Sequence, residues 1–321
     1  DEARRNLDRA VELSRAHAGP EAPETLEARK QRAMMEWSIK IDSASVKSVE
    51  QAVADIQRVL GSEHRQTLAA QTDLAAVHAS DPRFDWAHDA LVKVVEGWKR
   101  IGDEQSTAAM QALQMLAAIK GMRGESEAAA AMLRELLERQ KTALGETHYL
   151  RCMTRVELAT VLEQMLDWPG AAEQFLLALE GLRTQLAPGH EHLLLCARGA
   201  AAIQVRREGR PQAAFDLLKP VFDDFLARPD HEKHAAASAR EVLGWCHFRL
   251  GRLAEAEREF LMARDGYVAL TGSATNAVVR KVECALAEVY EAMGRPDDAK
   301  RLRGDDAPSG PEDGRKWPIM R

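Results

Sequence analysis

The sequence predicts an all-α solenoid, a right-handed superhelix of about seven antiparallel helical hairpins. Three observations carry that expectation. One phrase recurs at a fixed distance, as Gly209-Arg210-Pro211-Gln212-Ala213-Ala214, Gly251-Arg252-Leu253-Ala254-Glu255-Ala256 and Gly294-Arg295-Pro296-Asp297-Asp298-Ala299, with glycines 42 and 43 residues apart. A period of roughly 20–50 residues marks a repeat array. A second turn recurs between these, as Leu60-Gly61-Ser62-Glu63-His64, Leu144-Gly145-Glu146-Thr147-His148 and, in looser form, Gly19 to Leu26. The text between the turns is rich in alanine and leucine, 45% hydrophobic but only 5% aromatic, as packed helices require.

Each unit therefore reads as helix A, a glycine turn, helix B and a Leu-Gly turn. Glycine after leucine is a helix C-cap signal, and the threonine that follows (Thr25, Thr67, Thr147) is expected to cap the next helix. Gly124 to Ala129 and Asp167 to Ala172 extend the first turn backwards, with Asp167 in the glycine's place. Ala129, Ala172, Ala214, Ala256 and Ala299 then fall at one position of helix B, where a small side chain lets A and B approach closely. A single hairpin cannot bury its apolar face, so neighbours must stack.

In chain order, residues 2–18 read as a lone B-type helix. The pairs that follow are 25–39 with 45–60, 67–79 with 84–101, 106–122 with 125–144, and 149–166 with 169–186. Then come 191–207 with 210–226, 231–250 with 253–270, and 275–293 with a short 296–302. The repeat turns lie near 40, 81, 124, 167, 209, 251 and 294, and the first of these has no glycine. Pro220 should kink its helix, because it removes a backbone donor. The array is expected to span 1–303. Residues 304–321 are polar and rich in Pro and Gly, and are expected to be a disordered tail. Its apolar end, Trp317-Pro318-Ile319-Met320, is either an incidental terminus or a short docking motif that could occupy the array's own groove.

Composition narrows the function. Charged residues make up 29% of the chain with the signs mixed, and the net charge is −6, without the basic stripe of a nucleic-acid binder. No apolar run approaches the roughly 18 residues of a membrane span, and no signal peptide is evident. Cys152, Cys196, Cys246 and Cys284 fall in A helices of different repeats with no Cys-x-x-Cys pair, which reads as buried thiols in a reducing cytoplasm. The chain starts at Asp1 inside a helical pattern, and reads as a piece of something longer.

Catalytic signals are weak. His190-Glu191-His192 and the His231/His234 pair could each offer imidazoles to a metal, but no third ligand has zinc spacing, and the first set sits where other repeats carry a turn. No His-Glu-x-x-His, phosphate-binding glycine loop or Gly-x-Ser-x-Gly elbow is present, so neither enzyme chemistry nor a cofactor is expected.

The recurring pieces resemble the tetratricopeptide family, in the 42-residue variant of kinesin light chains and many bacterial proteins. The residues that carry the likeness are Thr67-Leu68, Leu74-Ala75, Leu158-Ala159, Leu286-Ala287, Glu255-Ala256 and Leu60-Gly61-Ser62-Glu63-His64; the family's His-Pro is nowhere intact. The resemblance implies a concave wall of A helices that binds a peptide, a helix or a loop of a protein partner. It also implies a second role, as the C-terminal sensor region of a larger bacterial signalling protein such as a serine/threonine kinase or a transcriptional regulator. Self-association through the array's ends is a third possibility.

Setting each A helix against the family's Leu-Ala pair places certain residues on that wall. Two before the leucine stand Lys30, Gln114 and Glu241, in a column where the family often carries asparagine and this chain carries none. Trp245 lies two after it; Glu163, Arg206 and Phe248 lie five after it. An aromatic pair beside Arg206 and Glu241 reads as a binding hot spot, unless Trp245 packs into the next repeat. Arg155, Arg198 and Arg240 form one further column. They read either as a basic ladder for an acidic ligand or as seam residues paired with Glu157, Glu191 or Glu241.

Overall fold

A computed structural model of the chain describes residues 2–79, 84–228, 233–273 and 275–303. Among the described residues the secondary structure is fifteen α-helices with no strand. A lone α1 (Glu2–Ala18) precedes seven hairpins. Their A helices are α2 (Pro23–Ile39), α4 (Arg65–Ala79), α6 (Thr107–Met122), α8 (Tyr149–Gln164), α10 (Glu191–Arg206), α12 (Lys233–Arg249) and α14 (Ala277–Ala292). The matching B helices are α3 (Ser43–Leu60), α5 (Phe84–Arg100), α7 (Ser126–Leu144), α9 (Trp168–Arg183), α11 (Pro211–Leu226), α13 (Leu253–Thr271) and α15 (Pro296–Arg303). The A helices from α2 to α12 start 42 residues apart. The expected turn near 81, His231 and the tail from 304 onward lie outside the described residues.

The A-to-B turns of the third, sixth and seventh hairpins are built alike. The N–H of Gly124, Gly251 and Gly294 donates to a carbonyl three residues back, while the next residue's N–H reaches five back, as in Glu125 to Lys120. That pattern needs a left-handed residue, which glycine adopts without strain. In the fourth hairpin the residue at that point is Leu166, at φ +63°, followed by the Asp167 N–H bonded to the Leu162 carbonyl. The sequence frame is thereby corrected by one residue. Asp167 does not replace the glycine; it stands at the head of α9, where its Oδ1 accepts the Gly170 N–H at 3.1 Å. The first hairpin, which lacks a turn glycine, uses Asp42 instead: its carboxylate accepts the N–H groups of Ala44 and Ser45, and the Ser45 hydroxyl closes a capping box.

The turns from B to A correct a second expectation. The caps are not threonines but the residues near the family's histidine position. Nδ1 of His64, His148 and His190 each accepts a backbone N–H two residues on, at 3.2 Å, and Ser106 and Asn276 do the same work in other repeats. Thr25 and Thr67 lie inside the first helical turn and are buried. A threonine on the core face of a helix cannot also reach back to its open end, although the Thr25 hydroxyl does donate to the Gly19 carbonyl.

The helices group into two compact units, Asp1–Ala171 and Ala172–Arg321, with the division inside α9. Each helix from α1 to α7, and again from α10 to α14, packs on the next in the chain, and successive A helices also touch: α4 with α6 and α6 with α8 in the first unit, α10 with α12 in the second. The expected alanine column is buried throughout, and Ala87 and Ser45 extend it into the first two hairpins. Leu26, Val49, Val53 and Ile56 fill the start of the first unit, and Phe260, Val279, Val282 and Leu286 fill the end of the second. Close approach is enforced where Gly199 and Gly244 face the rings of Phe175 and Phe260; a Cβ at either would sit 2.8 Å from ring carbons. The α11 helix runs unbroken through Pro220, whose ring lies on the exposed face.

Candidate functional site: the A-helix wall

In the first unit two of the predicted wall residues, Lys30 and Gln114, contact side chains of the next A helix. Lys30 is 3% exposed, and its Nζ lies 2.5 Å from Asp73 Oδ2 on α4 and 3.1 Å from Glu27 Oε1. Burial works against its charge, but the two carboxylates outweigh that and raise its pKa. Gln114 repeats the theme without charge: the Thr154 hydroxyl on α8 donates to its Oε1 at 3.3 Å. Arg155 points toward Glu146, 3.6 Å away, a carboxylate that also holds the buried Arg151. Glu163 is half-buried near the end of α8.

The second unit gathers more of the predicted residues. Glu241, on α12, is 5% exposed, yet its Oε1 is 2.6 Å from Arg206 Nη2 on α10 and 3.0 Å from Lys281 Nζ on α14. One carboxylate thus ties three successive A helices. Desolvation pushes its pKa up, but the guanidinium and the ammonium pull it below the ordinary value. Behind it the Tyr267 hydroxyl lies 3.5 Å from Oε2, and burial with the nearby carboxylate raises the phenol to about 12. The side chains of Arg206 and Lys281 keep 34% and 39% of their surface in solvent. The outward face of this cluster is therefore cationic.

Trp245 and Phe248 stand next to it. Trp245 is half-buried, edge-on to Phe260 of its own hairpin at 5.5 Å and to Phe248 at 5.9 Å, with the Arg206 guanidinium 5.8 Å from its ring centre. The indole is thus anchored below by the core and capped by a cation, an arrangement that fixes its rotamer.

The arginine column is committed to the seams. The Arg198 guanidinium donates to Ser238 Oγ at 2.8 Å; Arg240 pairs with Glu259 at 3.0 Å and lies over the Phe222 ring. Arg155 faces Glu146, Arg198 faces Ser238 and Arg240 faces Glu259, while Glu241, one of the carboxylates expected to pair with an arginine, takes Arg206. Spacing along one helix says nothing about which residue of a neighbouring helix stands opposite.

For the imidazole candidates, His190 spends Nδ1 on capping α10, with its ring 5.1 Å from that of His192. His234 lies against Tyr267. The described residues contain no group of three His, Cys, Asp or Glu side chains arranged to hold a metal ion. The thiols of Cys152, Cys196 and Cys246 are buried and form no disulfide, and desolvation lifts Cys246 to about 12. No described helix is long and apolar enough to cross a membrane.

A feature the sequence did not signal is a cleft of about 350 Å³ among α5, α6 and α7, with Val92, Leu113, Leu116 and Met132 on its walls and Glu96, Glu135 and Arg139 at its rim. Trp98 lines it, and its buried indole N–H has no hydrogen-bond partner. Only the stacking of two B helices over an A helix creates this space, so no local motif announces it.

Residues 110–149 match the tetratricopeptide repeat model. Among solved structures, the chain is similar to the kinesin light chain TPR-like repeats of Podosopora anserina, at 20% identity and TM-score 0.56, over 66% of this chain and 100% of that one. It is similar to the apo quorum sensor NprR from B. thuringiensis, at 13% identity and TM-score 0.66, over 92% of this chain and 78% of that one. A Rap protein complexed with competence and sporulation factor aligns at 14% identity and TM-score 0.56, over 88% and 76%. No curated protein matches the chain. These likenesses are of fold.

Proposed function

We propose that this chain, with its tetratricopeptide-like fold and a repeat match over residues 110–149, is a non-catalytic scaffold that holds a peptide, a helix or a loop of a protein partner against its A-helix wall. The observation that carries this reading is the Trp245–Phe248 pair beside the Arg206–Glu241–Lys281 cluster. Rigid, half-buried aromatics ringed by cations have the character of interface hot spots: large contact area, little rotamer entropy left to lose, and charges that fix register. The buried Glu241 holds both cations in place before a partner arrives, which lowers the ordering cost of binding.

The neighbours support the same reading, since one of them is a Rap protein caught with a bound factor. The quorum sensor among them favours a regulatory variant, in which the array senses a partner and controls an output domain of a larger bacterial signalling protein.

The test is a quantitative pull-down with the intact chain and with a Trp245→Ala, Phe248→Ala variant shown by circular dichroism to be folded. Partners that use the wall should fall by roughly tenfold or more, as expected when hot-spot aromatics are truncated. Equal recovery of every partner moves the site off α12.

A further inference from the structure

The first unit contains one pairing register in two states. Lys30 and Asp73 stand 43 residues apart on successive A helices and form an ion pair at 2.5 Å. Gln114 and Glu157 stand at the equivalent places two repeats on, also 43 apart, on α6 and α8. These helices touch at this point, because Thr154, one turn before Glu157 on the same face, donates to Gln114. Where the earlier pair has an ammonium, this one has an amide. Glu157 has neither an ion pair nor a hydrogen bond among the described residues, although it is half-buried and burial raises its pKa. The cations nearest in sequence are engaged elsewhere: Arg151 and Arg155 face Glu146.

A half-buried carboxylate without a partner is costly, and wall carboxylates elsewhere in the chain avoid that cost by taking cations: Asp73 takes Lys30, and Glu241 takes Arg206 and Lys281. We propose that Glu157 is the docking point for a lysine side chain of the bound partner, with the ligand's ammonium standing where Lys30 stands in the first repeat. A lysine ammonium is the same group that Asp73 takes from Lys30 in the first repeat. The inference rests on the A-helix wall being the binding surface, and it adds the chemistry of one contact.

The experiment uses the full chain and three short peptide pools, identical except for a fixed central lysine, norleucine or glutamate, read by fluorescence anisotropy. A hydrogen-bonded charge is worth enough that the lysine pool should bind about tenfold more tightly than the norleucine pool, with the glutamate pool weakest. That preference should vanish in Glu157→Gln, which keeps shape and fold. It should vanish as well in Gln114→Lys, where the chain supplies its own ammonium and the melting temperature should rise. A lysine preference that survives Glu157→Gln, or equal binding of the three pools, overturns the inference and leaves wall binding standing. A Gln114→Lys variant with unchanged melting temperature and unchanged preference shows that the two positions do not face each other and overturns it too. No binding of any pool to the wild-type chain overturns both readings.

Discussion

Lys30 in the first unit and Glu241 in the second hold the same place in their repeats, two residues before the leucine of the family's Leu-Ala pair, and they carry opposite charges. Both are almost fully buried, and both are neutralised by side chains from adjacent A helices. The position thus demands a polar bridge between repeats rather than a particular residue. Where the bridge is Lys30, the exposed face beside it is acidic, through Asp73 and Glu27. Where it is Glu241, that face is basic, through Arg206 and Lys281. The sign of the buried residue sets, by inversion, the charge left on the exposed face beside it.

The largest expected effect breaks the bridge from outside. Arg206→Ala with Lys281→Ala strands Glu241 without a cation, and stranding a buried charge costs about 3–5 kcal/mol. Urea unfolding should show that loss, and adding Glu241→Gln should recover most of it. Asp73→Ala with Glu27→Ala strands Lys30 in the same way, but the loss should be smaller, since a lysine stem can carry its ammonium out to water. Equal losses would mean the two bridges do not differ as described.

Packing gives the next effect. In the second unit, Gly244→Ala drives a methyl to within 2.8 Å of the Phe260 ring and should cost about 1–3 kcal/mol, despite alanine's better helix propensity. A variant at least as stable as wild type would show that the α12–α13 contact is loose. In the first unit the opposite sign is expected: Leu166→Gly relieves a left-handed leucine and should stabilise by about 1 kcal/mol, read as a higher urea midpoint.

The smallest effect is in pH, and it separates the two bridges. The Glu241 pKa is lowered on folding, so its contribution is present above the ordinary glutamate value, about 4.3, and is lost as pH falls through the lower folded value. The Lys30 pKa is raised, so its contribution is present below the ordinary lysine value, about 10.4, and is lost as pH rises through the higher folded one. The stability gap between wild type and Glu241→Gln should therefore close on the acid side, and that between wild type and Lys30→Met on the alkaline side. Gaps that close on the same side would refute the assignment.

Much of the fold was legible because a repeat writes its geometry many times. The alanine column and the left-handed glycines follow from close helix approach and chain reversal, and both leave a mark at each period. The histidine caps were legible too, since His64, His148 and His190 recur in register with Ser106; the signal was present but was read as a turn marker. Leu166 was misplaced because nothing in a leucine's chemistry announces a positive φ. The candidate site was legible only in part. Spacing put Trp245 and Phe248 near Glu241 on α12, but not the partners of Arg155, Arg198 and Arg240, which come from a turn and from neighbouring helices.

By itself, then, the sequence determined the period, the helices and the side each A helix turns toward its neighbours, because these depend on residues a few positions apart and recur with every hairpin. The tertiary structure alone decided which charges cancel and which stay available. An ion pair between Lys30 and Asp73, or among Arg206, Glu241 and Lys281, depends on distances across stacked helices, and a shift of one turn would have given every one of them a different partner.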